Sequence, residues 1–456
     1  MTQMRRHCIT LAAAMAVSAL TLTLTGFASS PGGGQGPTST ASASSSPITD
    51  PDQARRDPND PAAQKGFLEK QQRAMPRRSC ATPTSSHRKK TLPRQGPAHW
   101  CFEPTDPTKT PKAPDPAKIK HDQANPNPPT KLCSQKLGHT NYDRFHACYE
   151  STGRLLNEDT GEVGTYIHYY VWATLSAKNH TWLMQVGVTA TDMAPDLFEA
   201  APYLAVSLAC PQNRCEKPKV DKKRIFPDTY TYYELPTSIP GDEKIRYSNP
   251  TAILTLTTDH GWPGSNSANP LNDPFNVRCD KETYIGGHGC VFYMGNAAAA
   301  IFYIDYNNPD PKFGDYREVV KHNLYAIDVR DNLKHYGHIN YGNPLHRADP
   351  VTRDENRRKA CNPWREKASS LGLSCDEYPY ASAEEGGTVS VRRSCAFLPQ
   401  DQNSNHGNAL ENALYKPNRI LPALKENDKY IPGDPYWVWV LNAPSEIPTV
   451  KQCDQY

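Results

Sequence analysis

No two of the thirteen cysteines in this chain stand at Cys-x-x-Cys spacing. That absence removes zinc-ribbon and thioredoxin-type redox readings, which need two thiols on one turn. Beyond Leu24 no apolar run approaches the roughly 20 residues that a spanning helix requires, so the mature chain is expected to have no membrane segment. Neither sign of charge dominates: 51 Lys and Arg stand against 48 Asp and Glu, a net charge of +3. A domain that held nucleic acid by charge alone would be more basic, so composition neither indicates nor excludes a polyanionic partner.

What is present begins with an export pattern. Arg5 and Arg6 precede an apolar stretch from Ile9 to Leu24, and small residues follow at Gly26, Ala28 and Ser29. A signal peptide over 1–28 is the expectation, and with it a secreted, extracellular protein. No Cys follows Leu24-Thr25-Gly26, which argues against a lipid-modified N-terminus. Cys8 leaves with the signal, and the remaining cysteines form an even set suited to disulfides in an oxidising compartment. Cys210–Cys215, Cys279–Cys290 and Cys361–Cys375 are the simple local pairs, although spacing alone does not settle connectivity.

Residues 29–130 are rich in Pro, Ser, Gly, Asp and Lys, with few large apolar side chains. Such a segment buries too little apolar surface to offset its ordering entropy, so a disordered Pro-rich linker is expected. It carries the basic cluster His87-Arg88-Lys89-Lys90, and Cys80 and Cys101 beside Trp100 suggest a small stapled loop. From 131 to 325 the pattern turns to short runs of β-branched and aromatic residues such as Tyr166–Trp172, Trp182–Val188, Leu204–Ala209, Ala252–Thr257 and Ala299–Ile304. Pro, Gly, Asn and Asp separate them, and a mainly-β, sandwich-like domain is expected. Four of its histidines, His168, His180, His260 and His288, are scattered without ligand spacing, and it contains no internal repeat. A third domain over 326–456 opens on a helix-like stretch near Arg353–Ser370 and closes on the strand-like Trp437-Val438-Trp439-Val440.

Chemistry concentrates in Ser374-Cys375-Asp376-Glu377-Tyr378-Pro379-Tyr380. Adjacent acids suit a hard divalent ion, and one of them could act as a base. Adjacent strand residues point to opposite faces, however, so joint action requires the backbone to turn, and Pro379 restricts Tyr378 to an extended or turn conformation. A Cys361–Cys375 bridge would fix the segment in advance.

Several motifs in order resemble the NucA/NucB deoxyribonuclease family. They are Gly342-Asn343-Pro344-Leu345-His346-Arg347, Asn356-Arg357-Arg358-Lys359-Ala360-Cys361, Asp376-Glu377-Tyr378-Pro379-Tyr380-Ala381-Ser382, Gln402-Asn403-Ser404-Asn405-His406-Gly407, Asn418-Arg419-Ile420-Leu421 and Gly433-Asp434-Pro435-Tyr436-Trp437-Val438. The resemblance spans roughly Gly342 to Val440. Three departures stand out: Gln402 where many members carry Glu, Asn408 where many have a second Gly, and a longer segment between Leu421 and Gly433.

The resemblance implies an α+β nuclease domain that hydrolyses DNA without sequence preference, as a monomer, using Mg²⁺ or Mn²⁺, with an inhibitor protein as an additional partner. It implies Asp376 as a metal-binding acid, Glu377 as the general base and Asn403 as the second metal-site residue. It is also similar, more loosely, to His-metal finger nucleases, with Glu377 where their histidine stands. His346 and His406 compete for the base role, since imidazole titrates near neutrality. Arg347, Arg358 and Arg419 are expected on the DNA backbone, with Arg357, Arg392 and Arg393 as further candidates. Glu384 and Glu385 are candidates for the neighbourhood of the metal. The alternative is a non-catalytic cell-surface binding or adhesion protein with a degenerate nuclease module, which Gln402 keeps open. In the nuclease reading the β-rich domain is a binding or spacer module, and deleting 133–306 is expected to leave hydrolysis of free DNA largely intact.

Overall fold

The computed structural model describes Cys80 and residues 100–106, 120–121, 130–133 and 137–456. Within the last range, residues 211–214, 217, 219–220, 240–244, 259–267, 273–274, 294–299, 308–309, 329–336, 339–343, 388–392 and 427–428 are excepted. The expected signal peptide, most of 29–130, the basic cluster at 87–90, His260, Gly342, Asn343 and Arg392 lie outside the described residues. The fold is mostly β with some helices, and no helix among the described residues is long and apolar enough to cross a membrane.

The first part holds β1 (Trp100–Thr105), β2 (Lys120–His121), β3 (Thr140–Tyr142), β4 (His146–Asn157), β5 (Val163–Thr174), β6 (Thr181–Thr191) and β7 (Pro202–Ala209). β8 (Asp221–Arg224), β9 (Thr229–Ser238), β10 (Ile245–Ser248), β11 (Thr251–Thr258), β12 (Ala268–Pro270), β13 (Val277–Asp280) and β14 (Gly289–Phe292) follow. Two short helices, α1 (Thr130–Cys133) and α2 (Pro195–Glu199), interrupt them. The order β1-β4-β5-β6-β9-β2, with β3 on β4, makes a seven-stranded sheet, and β12-β11-β7-β8 makes a four-stranded one. Leu204, Val206 and Leu208 of β7 alternate inward and meet Ile167, Tyr169 and Val171 of β5 in one apolar core. Burying each such side chain stabilises by about 1.5–3 kcal/mol.

β1 corrects the linker expectation for its own stretch. It pairs along its length with β4, its Trp100 and Phe102 are buried, and Cys101 is bonded to Cys80. Composition averaged over a hundred residues hides six that a sheet edge can capture.

The second part holds β15 (Ala300–Asp305), α3 (Arg317–Asp328), β16 (Leu345–His346), α4 (Pro350–Cys361), α5 (Arg365–Ser370), β17 (Leu373–Tyr378) and β18 (Ser394–Pro399). It continues with α6 (Gln400–Ala409), a π-helical turn over Leu410–Tyr415, β19 (Leu424–Glu426), β20 (Lys429–Ile431) and β21 (Pro435–Leu441). α4 starts where Asp349 accepts from the backbone N–H groups of Val351 (2.8 Å) and Thr352 (3.1 Å), with Pro350 at its first position. β15, grouped by pattern with the earlier strands, runs parallel to β21, and Phe302 and Ile304 join Val320, Leu324, Tyr378, Leu398 and Val438 in a second core. The C-terminal core therefore begins at Ala300 rather than at 326, because an apolar strand pattern does not name its partner.

Buried charge joins the two cores. Asp434, ahead of β21, accepts from Arg144 at 2.6 Å and from Arg278 at 2.5 Å. Burial acts against its charge, yet the Arg278 and Arg144 guanidiniums hold its carboxyl down at about 2. In the other direction Arg419 pairs with Asp280, and its guanidinium also donates to the carbonyls of Ala177 and Gly287. Gly289 is needed there, since a side chain would collide with the Ala177 carbonyl and the Arg419 stem. Deleting 133–306 would remove β15 and leave Asp434 and Arg419 without these partners. The expectation that hydrolysis would survive that deletion is therefore not supported.

Candidate active site

β17 and β18 form an antiparallel hairpin, with Asp376 opposite Ala396 and Glu377 opposite Cys395, and α6 follows directly. Successive strand side chains leave on opposite faces. Asp376 faces α3, where His322 Nδ1 lies 2.6 Å from its Oδ2. Glu377 faces α4, where its Oε2 lies 3.0 Å from Cys361 Sγ. The backbone does not turn within the pair, so the two acids do not share a face. Both are largely enclosed, at 5% and 9% exposure.

On the Asp376 face, His322 is fully buried and its Nε2 lies 2.9 Å from Ser394 Oγ. Ser394 in turn donates to Gln452 Oε1 at 2.9 Å, beside the Cys395–Cys453 disulfide. Asn403 stands on α6 over the same hairpin. Its Nδ2 donates to the Cys375 carbonyl (2.9 Å) and to Ser374 Oγ (3.2 Å), which leaves its Oδ1 available as a ligand. Among the described residues no donor reaches Asp376 Oδ1. His406, a candidate for the base role, is inside α6 and ringed by Phe302, Tyr316 and Tyr380. Burial drives its pKa down to about 4, the Asp376 charge opposing, so it is an enclosed neutral ring. Gln402 accepts from the Glu318 backbone N–H at 2.8 Å and so ties α6 to the start of α3.

On the other face, burial and then the Asp376 charge push Glu377 up to about 8, against the pull of Arg357. The disulfide Cys361–Cys375 holds α4 to β17, and Cys375 touches Cys395 at 3.4 Å. The sulfurs of Cys361, Cys375 and Cys395 lie within 4.8 Å of one another, but all three are oxidised in disulfides and are not thiolate ligands.

Of the remaining candidates, Arg357 lies on the Glu377 side, where its charge acts on that carboxyl. His346 Nδ1 meets Glu385 at 2.6 Å; burial disfavours the imidazolium, and the Glu385 hydrogen bond outweighs it and raises the pKa. Glu384 accepts from the Gly433 backbone N–H. Arg347 donates to the Ile420 carbonyl at 2.6 Å and lies over the Tyr415 ring at 4.3 Å. Arg357 and Arg358 are exposed on α4, Arg358 with only a long 3.7 Å contact to Glu355, and Arg393 donates to the Lys359 carbonyl at 3.0 Å. Arg419 is the clear correction: at 0% exposure and paired with Asp280, its guanidinium does not reach a DNA backbone.

Hard divalent cations take oxygen ligands and keep several waters. Asp376 Oδ1 and Asn403 Oδ1 are oxygens of that kind, so the chemistry of the residues present fits Mg²⁺ or Mn²⁺. His322 and Gln452 were not foreseen from sequence. The one available signal was a polar pair, His322-Asn323, inside the apolar stripe Val319, Val320, Leu324, Ala326 and Ile327 of α3.

Residues 333–430 match the family model described as Deoxyribonuclease NucA/NucB, in the C-terminal position where the resemblance lay. The match includes Asp376, Glu377 and Asn403 and excludes His322 and Gln452. Curated proteins gave no match.

Proposed function

We propose that this protein is a secreted, metal-dependent endonuclease that hydrolyses DNA phosphodiester bonds at an α+β C-terminal domain. The observation that carries the reading is Asp376, inside the matched segment, with one carboxylate oxygen held by His322 and the other, among the described residues, met by no donor. Asp376 and Asn403 would hold the cation. When bound, it supplies charge stabilisation at the phosphate and lowers the pKa of its water. Arg357 and Arg358, exposed on α4, are suited to sequence-independent backbone contacts. Export is supported by the N-terminal pattern and by the pairing of every cysteine after Cys8. Glu377 stays a candidate base but acts from the opposite face, so its loss should cost less than the loss of Asp376.

Purified mature protein incubated with plasmid and with RNA, in Mg²⁺, Mn²⁺ or EDTA, tests this. Metal-dependent nicking of plasmid that disappears in Asp376→Ala supports the reading, and intact plasmid under every metal condition rejects it. A second reading, a non-catalytic binding module, rests on Gln402, which serves as an anchor for α3. Retention of plasmid without cleavage would favour it.

A further inference from the structure

A chain of hydrogen bonds enters the hairpin from outside the matched segment. The Cys395 backbone N–H can only donate, and it points at Gln452 Oε1 at 3.1 Å, which fixes that atom as the amide oxygen. Gln452 Nε2 donates the other way, to the Val450 carbonyl at 3.1 Å. Ser394 Oγ therefore spends its one proton on Gln452 Oε1, at 2.9 Å, and must accept from its other neighbour. That neighbour is His322 Nε2, at 2.9 Å, so Nε2 carries a hydrogen. The imidazole is thus orientated by a carbonyl-type anchor two bonds away, and its Nδ1 can hold the ionised Asp376 Oδ2 at 2.6 Å only with a hydrogen of its own, so both ring nitrogens donate in this arrangement. α3 is itself held in register by Gln402 on the Glu318 backbone N–H, at 2.8 Å.

From this geometry we infer that His322 is a positioning residue for Asp376. It holds Oδ2 and sets the plane of the carboxylate, so that Oδ1 is presented to the cation and substrate side, and the chain Gln452–Ser394 fixes the ring that does so. The inference rests on the proposed nuclease reading and deepens it, because it assigns a role to residues that the family match does not include. Partners of this kind, which orient a ligand without touching the metal, typically contribute about 10–100-fold in affinity or activity.

The test uses the full mature protein with His322→Ala, His322→Asn and His322→Gln. The Asn amide nitrogen falls where Nδ1 lies and can still donate to Asp376, whereas the Gln amide falls where Nε2 lies and cannot. Expected is a fall in kcat of about 100-fold in the Ala and Gln variants, with KM within about threefold, and recovery to within about tenfold in the Asn variant. Mn²⁺ affinity, read by electron paramagnetic resonance without substrate, should weaken about tenfold in Gln and stay near wild type in Asn. Equal losses in Asn and Gln, or wild-type kcat in a folded Ala variant, overturn the inference. Should the Ala variant fail to fold, the Asn and Gln pair still decides it. A wild-type protein that binds Mn²⁺ with this His322 dependence but cleaves no nucleic acid would reject the nuclease reading and leave the positioning role standing. Cleavage that is indifferent to all three substitutions would do the reverse.

Discussion

Asp434 and Asp376 are both buried aspartates beside cationic or polar partners, and they differ in how their oxygens are used. Both oxygens of Asp434 are occupied: Oδ1 by Arg278 at 2.5 Å, and Oδ2 by Arg144 at 2.6 Å and the Leu421 N–H at 3.0 Å. Asp376 has Oδ2 occupied by His322 and, among the described residues, no donor on Oδ1. A buried carboxylate that is saturated on both sides is a lock between elements. One that is held on one side only is orientated for something that the protein does not supply. Burial alone would have ranked them together.

Breaking each aspartate should therefore give a different phenotype. The largest effect is expected from Asp376→Asn, a loss of kcat on the order of 100- to 1,000-fold, since a preorganised charge at the reacting centre is removed. Its urea midpoint should stay close to wild type, and a matching collapse in stability would place Asp376 with Asp434. Next comes Asp434→Ala, which leaves Arg144 and Arg278 buried without their counter-ion and should cost about 3–5 kcal/mol in urea unfolding. A variant as stable as the parent would remove the lock.

Acidity sharpens the same contrast. The folded pKa of Asp434, about 2, lies below the unfolded carboxylate value of about 4. Its contribution to stability is therefore complete above about pH 4 and is lost as the pH falls from there towards 2. Unfolding curves across that window should lose stability in the wild type with an added slope that Asp434→Ala lacks; parallel curves would contradict the assignment. The smallest effect is expected from Arg358→Ala, whose exposed side chain has a single long ion contact. Stability should change by less than about 0.5 kcal/mol, while the salt slope of DNA binding falls by about one.

The acid pair, the hairpin's cystine and the C-terminal place of the nuclease segment were legible because they lie in short, ordered motifs. Which way each acid points was not. A period of two says that Asp376 and Glu377 diverge, but only the packing of α3 against one face and α4 against the other says what each meets. His322 was invisible for a related reason: 54 residues separate it from Asp376, and a lone histidine on an apolar helix face announces no partner. Arg419 misled in the opposite sense, since its motif gives the residue but not the burial. β15 shows the same limit in the fold, because its apolar alternation suited either core and its parallel pairing with β21 chose one.

Crystals soaked in Mn²⁺ and measured for anomalous scattering test the central claim most directly. The account predicts a peak about 2.2 Å from Asp376 Oδ1, shared with Asn403 Oδ1, and none in Asp376→Asn crystals. Well-diffracting, Mn²⁺-saturated crystals without a peak at that oxygen, or with one at Glu377 instead, would contradict it.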